Sequence, residues 1–176
     1  MINRPGTPGA SGGVNYLKVM KVVKQNLNKE IALVQNATVR GMINAAAFIR
    51  NETEKTEPLT PVDYGNLRAS WFVTTAKGNP VGRGVSSFKG PKKDEIASNH
   101  VKGIADSQGE LARMTTPTKK FVMMGYSTNY SGYVHEFIGN VKFKRKGSGA
   151  KWLQTHIGKN TGKIVQIIGE TSQIKR

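Results

Sequence analysis

The stretch Pro61-Val-Asp-Tyr-Gly-Asn-Leu-Arg-Ala-Ser70, followed by Trp71-Phe-Val-Thr-Thr75, decides how the chain is read. Pro61 fixes its own φ and starts a turn, and the Asp63 carboxylate is placed to bond nearby backbone N–H groups. Gly65 permits a positive φ or a close backbone approach. Leu67 is the residue that plugs a core, and Arg68 is within reach of Asp63 or another carboxylate. From Ser70 the β-branched and aromatic run predicts a strand. The stretch is therefore a corner between a helix and a strand, and no residue in it requires a catalytic role.

Upstream of the corner the period is helical. Tyr16, Met20, Val23, Leu27, Ile31 and Val34 recur every three or four residues, and Val39, Met42, Ile43, Ala46 and Ile49 resume the stripe after Gln35-Asn36. Asn15 is the expected N-cap. A helix from Asn15 to about Glu54 would span about 60 Å, long for so small a domain. It implies either a break near Gln35–Gly41 or a far half that packs on another subunit. Pro58 and Pro61 end it. Met1–Gly13, rich in Gly and Pro, reads as an arm, flexible in a lone subunit and held by a neighbouring chain in an assembly. It lacks the apolar core of a signal peptide.

Downstream, the polar stretch 78–118 reads as a long insertion, with a short helical turn at Glu110–Arg113. Phe121–Tyr126 predicts a second strand, and Val81–Phe88 contributes in part to the sheet. Tyr130–Phe137 fits a short helix or a strand. Val141–Arg145 alternates apolar and basic residues, as in a hairpin or an edge strand. From Ala150 the tail is helical, weakened at Gly158 and Gly162. Residues 14–176 form one domain, with 78–118 inserted.

The 176 residues carry 27 Lys and Arg against 11 Asp and Glu, a net charge of +16. Such an excess repels itself and calls for an acidic or polyanionic partner. There is no cysteine, hence no disulfide framework and no cysteine-ligated zinc. No apolar run approaches the length of a membrane span, so no membrane partner is expected.

The residues offer little for catalysis. His100, His135 and His156 are the three histidines. His135-Glu136 begins like a zinc-protease helix, but the second histidine four residues on is replaced by Gly139. There is no phosphate-binding Gly-rich loop and no serine in a nucleophile elbow. Asp94, Glu95, Asp106 and Glu110 read as a solvated loop rather than a metal site. The chain is expected to be a non-enzyme with no cofactor.

Charge is concentrated near the C-terminus. Val141–Arg176 holds nine basic residues and one acid, Glu170, and so carries half of the net charge. Lys142, Lys144, Arg145, Lys146 and Lys151 are the candidate contacts to an acidic partner surface or to DNA phosphates. Without a helix-turn-helix, RNA-recognition or zinc-finger signature, base-specific reading is not expected.

The corner also resembles the Pro-x-Asp-x-Gly-x-Leu-Arg-x-Ser signature of a family of tailed-phage minor structural proteins, the neck or tail-completion proteins that join head to tail. In this chain the signature residues are Pro61, Asp63, Gly65, Leu67, Arg68 and Ser70. Tyr130-Ser-Gly-Tyr-Val-His-Glu136 and Gly139 resemble that family's Tyr-Ala-x-Tyr-Val-Glu-x-Gly element, with Tyr130, Tyr133, Glu136 and Gly139 in corresponding roles. Ser131 stands for the usual Ala, and His135 is one residue extra. Ala150-Lys-Trp-Leu153 resembles the closing Pro-Phe-Leu segment, with Trp152 for Phe, Leu153 retained and no Pro. The resemblance covers most of Tyr16–Ile168 but not the arm, and stretch 78–118 has no counterpart. It implies an α+β subunit, with a long N-terminal helix and a C-terminal helix packed on a small antiparallel β-sheet, and a virion protein forming a ring around the DNA exit channel, a hexamer by first choice and a dodecamer by second. Its partners would be copies of itself, an adaptor or head-completion ring, a tail-terminator or tail-tube ring, and the double-stranded genome in the channel. The competing class is a nonspecific basic nucleic-acid-binding protein.

Overall fold

The computed structural model describes residues 13–136 and 142–173, with side chains from Lys18 onward except that of residue 19. The arm 1–13 therefore lies outside the described residues save for Gly13, as does Gly139. Helix α1 runs unbroken over Gly13–Lys55. Its 43 residues span about 64 Å. Of the two alternatives for so long a helix, the break near Gln35–Gly41 is absent, because Ala37, Thr38 and Gly41 face a packed neighbour instead of solvent. A tight corner follows, built on α2 (Asn66–Ala69), and leads into β1 (Trp71–Thr74). Next come β2 (Val81–Gly82), α3 (Lys93–Met114), β3 (Met123–Tyr126), α4 (Ser131–Glu136), α5 (Trp152–Lys159) and α6 (Thr161–Ser172).

The sheet is antiparallel in the order β2-β1-β3. All four residues of β1 are buried, so both faces of its pleat are covered. Trp71 and Val73 face α1, packing with Ala46 and Ile43 and with Met124 and Tyr126 of β3. Phe72 points the other way, toward α3, where its ring meets His100 edge-on at 6.2 Å. Its cross-strand partners are Gly82 and Gly125, which leave the ring room on both sides. Thr74 Oγ1 accepts from Gln108 Nε2 at 3.0 Å. The architecture is thus three layers, with α1 and the C-terminal helices on one side, the sheet in the middle and α3 on the other side.

Two sequence expectations need correction. Stretch 78–118 is not a long loop with a single helical turn. Most of it is the 22-residue helix α3, the layer that covers Phe72. Its buried face carries only Ile96, His100 and Leu111, too sparse an apolar stripe to stand out against its charges. The described part of Val141–Arg145, residues 142–145, does not form a strand either. Residues 142–147 form a bend and turn, closed by Ser148 N–H donating to the Arg145 carbonyl, and Lys144 and Arg145 are drawn away by carboxylates.

The C-terminal helices split at Asn160, whose side-chain amide donates to the His156 carbonyl at 2.9 Å. α6 then runs back along α1. Ser172 Oγ donates to Thr38 Oγ1 at 3.2 Å, and Gly41 lets the helices approach so closely that a Cβ there would lie 2.9 Å from Ile168 Cα. Gly41→Val should therefore cost about 2 kcal/mol by overpacking. Gly169→Ala, which meets nothing within 4 Å, should gain up to about 1 kcal/mol from helix propensity. Urea melts of both variants check the contrast.

His100 sits between the edges of Phe72 and Phe88, with Nδ1 2.5 Å from Ser127 Oγ. Burial holds its pKa below the ordinary 6.5, against a smaller opposing effect of the Arg83 backbone. A depressed histidine pKa means the folded state binds the proton less readily than the unfolded chain. Its contribution is intact above pH 6.5 and declines as pH falls below it. The wild-type stability should drop more on acidification than that of His100→Gln, measured by urea unfolding at neutral and acidic pH.

Candidate functional site

The corner is organised by its backbone first. Gly65 adopts φ +86° and caps α2, the left-handed conformation that favours glycine. Ala69 N–H closes the turn onto the Gly65 carbonyl at 2.9 Å. Leu67 is buried, and Ser70, fully buried, donates its hydroxyl to the Leu67 carbonyl at 2.8 Å. Asn66, which the sequence reading passed over, ties the corner to the loop before α3. Its amide donates to the Lys89 carbonyl and its oxygen accepts from Lys89 N–H, both at 2.8 Å. Asp63 does not reach Arg68. It pairs with Lys144, while Arg68 turns inward to Glu54.

Glu54, near the end of α1, is the electrostatic hub. Arg50 pairs with one of its oxygens. Arg68 Nε lies 2.6 Å from the other, and Arg145 Nη1 donates to that same oxygen at 2.9 Å. Arg145 Nη2 also donates to the Glu54 carbonyl at 2.7 Å. Three guanidinium groups from α1, the corner and the loop before α5 thus converge on a carboxylate that is only 15% exposed. The local sequence around Glu54 shows only Arg50, four residues earlier; Arg68 and Arg145 lie 14 and 91 residues away.

The second and third elements meet at Trp152, which is fully buried. Its ring is met edge-on by His135 at 4.7 Å and by Tyr126 at 5.9 Å. The Tyr126 hydroxyl lies 3.4 Å from both Thr53 and Thr60. Lys151, with φ +55°, donates its N–H to the His135 carbonyl at 2.7 Å, and its ammonium pairs with Glu136. That ammonium, then His135, hold the Glu136 carboxyl below the usual range. Burial raises the Tyr130 hydroxyl above its ordinary value. Leu153 is half-buried beside Trp152, whereas Tyr133 is 68% exposed.

The five candidate basic contacts divide. Lys144, Arg145 and Lys151 are engaged by Asp63, Glu54 and Glu136. Lys142 and Lys146 are exposed and, among the described residues, form no ion pair. The three sequence elements thus assemble into one corner of the molecule, with structural ties at its centre and two lysines outside it. No three His, Cys, Asp or Glu side chains among the described residues gather closely enough to hold a metal, and no described helix is long and apolar enough to cross a membrane.

An extended exposed apolar stripe lies elsewhere. Met20, Val23, Leu27, Ile31 and Val34 are each 43–58% exposed. Their spacing continues through Thr38, Gly41, Ala45 and Ile49, so one stripe runs along α1. Within the described structure α6 covers its C-terminal part, and nothing covers its N-terminal part from Met20 to Val34.

Compared with protein-family models, with curated proteins and with solved structures, the chain matches none.

Glu54→Gln keeps the shape but leaves three guanidinium groups around a neutral amide. It should cost about 3 kcal/mol, as breaking partly buried pairs does, a loss read from the urea midpoint.

Proposed function

We propose that the chain is a structural virion protein of a tailed phage, forming a closed ring in the neck that joins the DNA-filled head to the tail. The observation that carries this reading is the apolar stripe Met20–Val34 on a helix half whose described side chains are all exposed. An isolated helix of that length is marginal in water, and five half-exposed apolar side chains on one face are a surface that a partner covers. Identical subunits satisfy it by a heterologous contact that closes into a ring, six copies by first choice and twelve by second. The ordered resemblance of Pro61–Ser70, Tyr130–Glu136 and Ala150–Leu153 to neck and tail-completion proteins adds the location.

The mechanism is mechanical and electrostatic. Stripe contacts seal neighbours together. Lys142 and Lys146 meet acidic surfaces of the adaptor or head-completion ring, or of the tail-terminator or tail-tube ring. A strongly basic lumen would grip the genome and slow its exit, so these lysines belong on a ring-to-ring face. The chain acts in the virion after assembly in the host cytoplasm, and it performs no catalysis.

The second reading, a nonspecific nucleic-acid-binding protein, is favoured by the lysines that flank the same stripe, Lys18, Lys21, Lys24 and Lys29. The two separate cleanly. Under the ring reading, light scattering at physiological salt gives a multiple of the 19.2 kDa chain mass, and Leu27→Asp with Ile31→Asp returns it to monomer. A monomeric wild type that binds random duplex tightly, with affinity falling steeply as salt rises, would reverse the choice.

A further inference from the structure

Beside the Glu54 hub, α1 and the β2 edge enclose an open recess of about 370 Å³. Arg50, Arg68 and Arg83 line it together with Glu54 and Trp71. Three guanidinium groups against one carboxylate leave the lining with a net charge of +2. Arg145, bonded to the same Glu54 oxygen as Arg68, adds further positive charge. The donors also outnumber the acceptors. Trp71 is 8% exposed, yet its buried indole N–H has no hydrogen-bond partner, whereas Arg68 Nε is held by Glu54 at 2.6 Å. Arg50 is committed, with Nη1 on Glu54 and Nη2 on the Arg68 carbonyl at 3.2 Å, and its guanidinium lies 5.9 Å from the Trp71 ring centre. Arg83 is exposed and, among the described residues, its side chain is in no ion pair. A buried donor without an acceptor is costly, and so is an uncompensated guanidinium cluster.

We propose that this recess is a binding site for a side-chain carboxylate carried on an acidic segment of a protein partner. The shape favours it over a nucleic-acid phosphate, because a recess admits a group at the end of a short methylene arm, whereas a phosphodiester is flanked by sugars on both sides. The charge separately disfavours a dianionic phosphomonoester, since Glu54 at the edge of the site tolerates a monoanion better. Planar carboxylate oxygens match the guanidinium fork, and Arg83 with the free nitrogens of Arg68 supplies that fork. A chain of net charge +16 selects acidic partners generally, and this recess gives that attraction a specific seat whether or not the partner is another ring.

The probe is capped hexaglutamate, titrated into the full-length protein and followed by calorimetry and tryptophan emission. Saturable binding with a change in emission is expected. Arg83→Ala should weaken it about tenfold, the scale of one charge-assisted contact. Lys18→Ala, about 44 Å along α1 from Ala47, should change it less than about twofold. Circular dichroism confirms that the Arg83 variant is folded. The proposal is overturned if hexaglutamate does not bind, or if the two variants weaken it equally. It is also overturned if a short random duplex displaces the peptide with the same dependence on Arg83, which would make the recess a phosphate site.

Discussion

The structure depends on a mismatch between the length of α1 and what the rest of the chain can cover. A helix of about 64 Å is the spine on which the sheet, the corner and the C-terminal helices are mounted, yet all of them mount on its C-terminal half. There Ile43, Ala46 and Ile49 meet the sheet and α6, and Gly41 removes the bulk that would hold α6 away. From Lys18 to Val34 every described side chain is exposed. The apolar stripe does not stop where the covering stops. Met20, Val23, Leu27, Ile31 and Val34 keep in phase with the buried face, no other described residue covers them, and on the proposed reading they are a surface for another copy of the chain.

The rigid half is held by two contrasting centres. At Glu54 a partly buried carboxylate gathers Arg50, Arg68 and Arg145, joining the end of α1 to the corner and to the loop before α5. At Trp152 a buried ring gathers His135, Tyr126 and, through the Tyr126 hydroxyl, Thr53 and Thr60. Between them these centres contact every element singled out by the sequence signature. That is why Asp63, Arg68 and Glu136, which look like reactive groups on paper, are structural ties in three dimensions. The excess of guanidinium over carboxylate at the first centre is what opens the adjoining recess to an outside anion.

Much of the architecture was legible because it rests on local period and local backbone chemistry. The spacing of Met20 to Ile49 specified α1, the β-branched and aromatic run specified β1, and Gly65 adopts the positive φ that its place in the corner suggested. α3 was not legible, because a helix that covers a four-residue strand needs few apolar anchors. Here one of the three buried anchors is a histidine, and the partly buried remainder of that face mixes Ala97 and Ile104 with Gly103, Ser107 and Gln108. Lys142–Lys146 misled for the opposite reason. Its alternation is real, but Asp63 and Glu54 pull Lys144 and Arg145 into a turn, and neither carboxylate is near in sequence. The charge run likewise did not disclose which of its members are engaged inside the chain, leaving Lys142 and Lys146 as the outward pair.

The account turns on whether the N-terminal half of α1 is covered when the protein is in its working state. Hydrogen exchange at the backbone amides of residues 20–34, followed as a function of protein concentration, tests this directly. The account predicts strong protection at high concentration that is lost on dilution, while residues 41–53 of the same helix stay protected throughout. Rapid exchange over residues 20–34 at every concentration, and in assembled particles, would contradict it.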